Sequence, residues 1–444
     1  MKKYIALVVS MIFVLGFAAS AFAIHAEIPS ETTATVAKGS TLITLGGELR
    51  VRGEIQKNTD FNDDTNAGDS SAYDQRVRLS VTAAVTPNTM GQITLESNNG
   101  TDVNDNVTWG APVSGAKGVY AQGNAKKGDL RILEGWILTK GSGLLGIPSG
   151  LKIGHMPLAL GNKLFFDHTK FGDDAIVFFM DPTKEMHVGF LTIKFNENTN
   201  AAADDSDAYV GLMTYKFSKD SSMSFDATYV NDMGNLLGGL VPGADVHFWN
   251  FGLRGDAKIA GFGIKGDIEL QTGKITDLGA TDDQKFKGIA ALVGLSYKLD
   301  PVTLSLDAAY GSGDNDDDND FETFVTSLGA DQHYTYVYEY RTANAAGNAN
   351  GGLANTTYIK LGADMGLMKD MNASLNAYYL RASKKNVNGD KGIGTEIDAK
   401  VTYKIDKNLN YWVEGGYLFA GNFYDAAKDA DNAYAVRHGI QLNF

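Results

Sequence analysis

Between Leu45 and Ile55 the side chains alternate: Leu45, Leu49, Val51 and Ile55 fall on one parity, and Glu48, Arg50, Arg52 and Glu54 on the other. Successive side chains of an extended strand point to opposite faces, so this stretch predicts a strand with one apolar and one charged face. The stretch from Asp74 to Val85 repeats the arrangement, with Val77, Leu79, Val81, Ala83 and Val85 opposite Asp74, Arg76, Arg78, Ser80 and Thr82. At the far end Tyr434, Val436, His438, Ile440, Leu442 and Phe444 alternate with Ala435, Arg437, Gly439, Gln441 and Asn443. Similar strands are predicted over 263–272, 302–310, 394–405 and 409–419, where for example Ile397, Val401 and Tyr403 oppose Glu396, Asp398, Lys400 and Lys404. Roughly ten residues is what a tilted strand needs to cross a bilayer.

A soluble sandwich would bury such apolar faces on a second sheet, whereas a large barrel turns them to lipid and lines water with the charged ones. The connections separate the two. Short ones, at Thr86-Pro87-Asn88, 181–184, 218–221, 260–262, Asp300-Pro301, 368–370 and 406–408, alternate with long polar ones at 57–71, 97–128, 231–245, 273–286, 311–355 and 420–432. Outer-membrane barrels connect their strands in this way, with short periplasmic turns and long extracellular loops. The prediction is an all-β transmembrane antiparallel barrel over 44–444 of about 18 strands, or 16, because 130–195 is apolar at both parities.

The N-terminus adds a compartment. Lys2 and Lys3 precede an apolar run from Tyr4 to Ala19 and the small-residue stretch Ser20-Ala21-Phe22-Ala23, the three regions of a secretory signal, so 1–23 is read as a signal peptide and 24–43 as a short N-terminal segment. No second apolar run of 18 residues follows, and helical spans are thereby excluded. Fifty-one glycines, 20 tyrosines and 22 phenylalanines against 8 prolines suit many strands, tight turns and aromatic bands. With no cysteine, thiolate metal sites, iron–sulfur clusters and covalent haem attachment are excluded, and no cofactor is expected. Without Lys2 and Lys3 the chain carries 37 Lys and Arg against 53 Asp and Glu, a formal charge of −16 that disfavours nucleic acid as a partner.

The alternating strands and the terminal Gln441-Leu442-Asn443-Phe444 resemble bacterial outer-membrane porins over the whole mature chain; in these the C-terminal aromatic residue is the assembly signal. The opening Gly47-Glu48-Leu49-Arg50-Val51-Arg52 and the run from Leu151 to Asn162 are similar to passages of the alginate-export-like porins, with His155 where that family usually has Arg and Asn162 where it often has Asp. The resemblance implies a large monomeric porin rather than alginate as cargo. Its implied partners are outer-membrane lipid and lipopolysaccharide, the barrel-assembly machinery and small solutes.

Arg50, Arg52, Arg76, Arg78 and Arg437 are predicted to share the lumen face of three adjacent strands. Such a ladder draws anions, because a low-dielectric wall of one sign focuses the field; alternatively Glu48, Glu54 and Asp74 pair with the arginines and only satisfy the wall. The segment 160–174 is rich in charge and aromatics. Folded inward, its Lys163, Asp167, His168, Lys170, Asp173 and Asp174 would narrow the channel; otherwise it is an exposed loop. Asp314, Asp316 and Asp318 suit the first positions of a calcium loop, but Asn319 stands where such a loop needs Gly, and Val325 where it needs Glu. A solvated loop tip is the competing reading. Tyr334, Tyr336, Tyr338 and Tyr340 would form one aromatic face of a short extended segment, suited to a membrane-interface girdle or to sugar stacking.

A passive channel is the expected function. A barrel hydrolase has no Gly-x-Ser-x-Gly or His-Glu-x-x-His element to rest on, which leaves His247 and His438 on separate strands as its only candidates. A sheath or scaffold for an electron-carrying complex would need a haem-bearing partner.

Overall fold

The computed structural model describes residues 34–38, 41–98, 107–109, 129–143, 146–197, 204–233, 245–276, 283–314, 320–329, 331–425 and 430–444. Long strands over these residues pair antiparallel with their neighbours along the chain. They are β1 (Thr41–Lys57), β2 (Ser70–Thr86), β3 (Thr89–Asn98), β4 (Asp129–Gly141), β5 (Ser149–Met156) and β6 (Asp173–Met180). Then follow β7 (Met186–Asn196), β8 (Ser206–Ser218), β9 (Ser221–Asp232), β10 (Asp245–Ile259), β11 (Phe262–Thr276) and β12 (Ile289–Leu299). The last are β13 (Val302–Gly311), β14 (Thr356–Met368), β15 (Met371–Ala382), β16 (Gly392–Asp406), β17 (Leu409–Ala420) and β18 (Ala433–Asn443). β18 returns to β1, in register from Glu48 with Asn443 to Lys57 with Tyr434, and so closes an 18-stranded barrel. No helix of the described residues is long and apolar enough to cross a membrane.

Eighteen strands replace the alternative of 16, and the extra pair comes from 130–195. There β4, β5, β6 and β7 are joined in sequence, with a long inward connection at 157–172. Both parities of β7 are apolar because Leu191 and Ile193 point inward onto a packed interior while Phe190, 53% exposed, points outward. Elsewhere the period-two reading holds: Leu49, Leu79, Ile268, Ile397 and Ile440 are exposed on the outer face, whereas Glu48, Asp267, Glu396 and Asp398 are buried on the inner one. Before the barrel, Ala34–Lys38 pairs antiparallel with Thr41 to Leu45, inside the segment expected to precede the first strand. Residues 1–23 lie outside the described residues.

The seam joins the chain's two ends. Gly47 donates its N–H to the Phe444 carbonyl at 2.7 Å and accepts the Phe444 N–H at 3.0 Å. A Cβ at Gly47 would stand 2.5 Å from the Phe444 ring and 2.7 Å from the Arg78 carbonyl oxygen, so only glycine lets the terminal ring lie flat on β1. Since that carbonyl belongs to the ladder and cannot swing away, Gly47→Leu is expected to lower the folded, membrane-inserted yield several-fold, as read by heat-modifiable mobility on a gel. Wild-type yield would mean that the ring does not dock there.

Candidate functional site

Two long connections turn inward. In the first, 157–172, Leu160, Phe165 and Phe166 are buried. Asn162 donates from its backbone and side-chain nitrogens to the Asp267 carboxylate on β11, at 3.2 and 3.0 Å. That carboxylate is part of a wall cluster in which Arg254 on β10 meets Asp226 at 2.5 Å, Glu269 at 2.8 Å and Asp267 at 3.4 Å. The second connection, 312–355, buries Phe324, Tyr334, Tyr336, Val337, Tyr338 and Leu353. Its backbone is pinned to the wall by two carboxylates of β16. Glu396 accepts the N–H groups of Val337 and Tyr338 at 2.6 and 2.8 Å, and Asp398 accepts that of Tyr336 at 3.0 Å. These bonds satisfy backbone N–H groups that would otherwise be buried without an acceptor, so this anchor offsets part of the cost of ordering a long loop.

The two connections also grip each other. Phe166 and Asp167 pair in parallel with Ser327 and Leu328, through Ser327 N–H to the Phe165 carbonyl at 2.7 Å and Gly329 N–H to that of Asp167 at 2.6 Å. His333, on the second loop, reaches Glu339 of its own loop at 3.0 Å and Asp167 of the first at 3.6 Å. Burial alone would push this imidazole towards its neutral form, but the Glu339 and Asp167 carboxylates outweigh it and hold the pKa up at about 9. Asp167 is itself held well below the usual carboxylate range: burial opposes ionisation, but the neighbouring His333 and the hydroxyl of Thr169 and ammonium of Lys163 beside it favour the charged form. His168 lies between Asp173 at 2.8 Å and the Ser327 hydroxyl at 2.7 Å. The cavity beside Ser327 is about 20 Å³, room for one water, so this trio clamps the loops together rather than admitting a substrate.

The loop side chains pack on inward residues of the outer half of the wall, among them Ile193, Val210, Val230, Phe248, Ile275, Leu380, Ile393 and Leu418. Met156 of β5, Ala175 of β6 and Ala433 and Ala435 of β18 join the same packed interior, so the loops fill much of the outer lumen. Beneath and beside them a cavity of about 1490 Å³ is left, lined by Arg50, Arg52, Arg76, Arg78 and Arg437 of β1, β2 and β18 and roofed by Lys163, Asp167, Lys170, His333 and Tyr340. Its wall also includes Glu134 of β4, Lys265 of β11, Asp307 of β13, Lys360 of β14 and Lys400 of β16, so an aqueous path through it meets the arginine strands on one side and a wall of mixed charge on the other.

Arg52 pairs with Asp74 at 3.0 Å, Arg76 with Glu48 at 2.7 Å, Arg78 with Glu96, and Arg437 with Glu414 at 2.6 Å and Glu54 at 3.5 Å. Arg50 stands directly across from Arg76 on β2 and Gln441 on β18. Arg341 comes from the second loop to Glu54 at 2.9 Å, and Lys400 reaches Glu414 at 2.7 Å. The five arginines, Arg341 and Lys400 thus face Glu48, Glu54, Asp74, Glu96 and Glu414, an excess of two positive charges on a largely paired wall.

Of the six residues expected to narrow the channel, Lys163, Asp167 and Lys170 line the cavity, and His168 and Asp173 are buried behind them. Asp174 departs from the expectation: strand alternation in β6 turns it to the outer face, where it meets His155 at 2.9 Å. The tyrosine segment is neither an extended strand nor a girdle. Tyr334, Tyr336 and Tyr338 are buried in the lumen, and the Arg341 guanidinium stacks 3.8 Å from the Tyr336 ring centre. Asp316 and Asp318 lie outside the described residues; Asp314 accepts the Glu322 N–H at 3.2 Å, and no group of three metal-ligating side chains occurs among the described residues. His247 and His438, on the outer parity of their strands, bond to Tyr229 at 2.9 Å and Tyr411 at 3.5 Å. Sequence reasoning put Glu396 and Asp398 on the lumen face without a partner, and gave Glu339 and His333 no role. Acids on the lumen parity of β16 were visible, but nothing local said that a loop sixty residues away would land on them.

The sequence pattern of the alginate export family matches residues 41–437. The chain belongs to the alginate export family. It is an outer-membrane porin. Its fold is shared with solved Pseudomonas aeruginosa channels: OccK9 (OpdG), at TM-score 0.59 and 13% identity, and OpdK, solved with vanillate, at 0.55 and 12%. Acinetobacter baumannii OccAB4 is similar at 0.55 and 13%. In each case 90% of this chain and 98% of the other are covered. None of the curated proteins compared with this porin matches it.

Proposed function

We propose that this porin passes small anions, carboxylates among them, along the wall formed by β18, β1 and β2, and that it has no catalytic role. The observation that carries this is the clustering of Arg50, Arg52, Arg76, Arg78 and Arg437 on three adjacent strands at the wall of the cavity. Ions there feel the wall charges at a few ångströms, whereas acids on outer loops beyond a Debye length of about 8 Å are screened. With an excess of two positive charges the preference is modest. The vanillate held by OpdK supports carboxylates as cargo. The outward apolar band contacts lipid, lipopolysaccharide surrounds the outer mouth, and Phe444 is read by the assembly machinery.

Planar-bilayer recording in a salt gradient tests the selectivity. The wild type should show a reversal potential of anion-selective sign, and Arg50→Ala/Arg76→Ala should move it towards or past zero. An unchanged potential would remove the arginines from the permeation path.

A further inference from the structure

The wall holds a feature that ion conduction alone does not require. Across the sheet, Trp412 on β17, Gly439 on β18 and Arg52 on β1 stand in one register row. The middle position lacks a side chain, and the Trp412 benzo ring occupies the place where a Cβ of Gly439 would be. The indole therefore lies along the wall towards β1, and it lines the cavity. Its orientation is fixed by an Nε1–H bond to Glu414 at 3.3 Å, and that same carboxylate oxygen receives Arg437 Nε at 2.7 Å. Arg50, Arg52 and Arg437 line the cavity beside it, and Tyr340 comes down from the loop above. An indole laid flat on a water-filled lumen leaves apolar area wet, which a ring-bearing solute would cover.

We propose that Trp412 on its Gly439 cradle is a stacking site for small aromatic carboxylates, with the ring on the indole and the carboxylate on the guanidiniums of β1 and β18. This rests on the anion-channel reading and adds to it a ring preference that a charge ladder lacks. Gly439 is as much a part of the site as the tryptophan, because any side chain there would lift the indole off the wall.

The test adds benzoate, acetate or benzyl alcohol at equal concentration to single channels conducting chloride. Benzoate should reduce the current at concentrations where acetate, with charge but no ring, and benzyl alcohol, with ring but no charge, do not. Trp412→Ala should raise the half-blocking benzoate concentration about three- to tenfold, the effect of one aromatic pair. Trp412→Phe should keep most of the block, and Gly439→Leu, with the indole still present, should lose it. The chloride reversal potential, read in the same experiment, separates the two claims. An anion-selective wild type that benzoate and acetate affect alike overturns the stacking site while leaving the anion channel standing. An unchanged benzoate block in Trp412→Ala overturns it as well. A wild type that is not anion-selective overturns the channel reading itself.

Discussion

Leu79→Arg and Val401→Arg chains are expected to fail in assembly, whereas Thr82→Lys and Thr402→Lys chains insert like the wild type. Leu79 is 42% exposed on the outer face, and Val401 shares the outward parity of Ile397 and Tyr403 on β16. A cation in the middle of the lipid-facing band costs roughly 2–4 kcal/mol, a large fraction of the 5–15 kcal/mol that typically holds a folded domain together. Thr82 and Thr402 line the water-filled cavity, where a lysine keeps its hydration. The two substitutions within each pair are adjacent or three residues apart, so a difference between them reports facing and not position along the strand. Membrane yield and heat-modifiable gel mobility read the outcome. Equal behaviour within each pair would mean that the two faces of these strands do not meet lipid on one side and water on the other.

Raising the pH through about 9 should loosen the grip between the two inward loops and increase conductance. His333 faces Glu339 at 3.0 Å and Asp167 at 3.6 Å, and Asp167 is also held by Lys163 at 2.9 Å. The imidazole's folded pKa of about 9 lies above its ordinary value of 6.5. Its contribution, roughly 3 kcal/mol by linkage, is therefore complete below pH 6.5 and is lost as the pH rises through 9. Above that, two carboxylates are left packed around a neutral ring, and Lys163 alone remains to balance them. Single-channel conductance between pH 7 and 10.5 should step up with a midpoint near 9, and His333→Gln should remove the step. A wild-type curve as flat as that of the variant would show that the clamp does not control the passage.

Much of this architecture was legible from the pattern of side chains, for a physical reason. Where a strand separates lipid from water, its two faces meet opposite solvents, and Leu49 beside Arg50 or Leu79 beside Arg78 records that contrast directly. The pattern failed where the inner face does not meet water. On β7, Leu191 and Ile193 look like lipid-facing residues because they pack on Phe165 and Phe166 of the first loop, so the strand count across 130–195 was ambiguous. Tyr334 to Tyr340 alternate as a strand would, yet the segment is irregular backbone whose N–H groups go to Glu396 and Asp398. Side-chain parity carries no information about such long-range acceptors. The arginines were legible as a group on adjacent strands, but their partners were only half visible. Glu48 and Asp74 lie in the neighbouring strands that set the expectation, Glu96 and Glu414 stand opposite Arg78 and Arg437 on strands adjacent along the chain, and the pairing of Glu54 with Arg437 depends on closure of the barrel.

The claim that water runs along the arginine wall is tested most directly by a single cysteine, since the chain has none of its own. Gln441 lies opposite Arg50 on β18 and lines the cavity. A Gln441→Cys channel should lose current on treatment with methanethiosulfonate reagents from the bath. The anionic sulfonate reagent should react roughly tenfold faster than the cationic ammonium reagent of similar size, because the wall concentrates anions. Faster reaction with the cation, or no change in current with either reagent, would contradict the account.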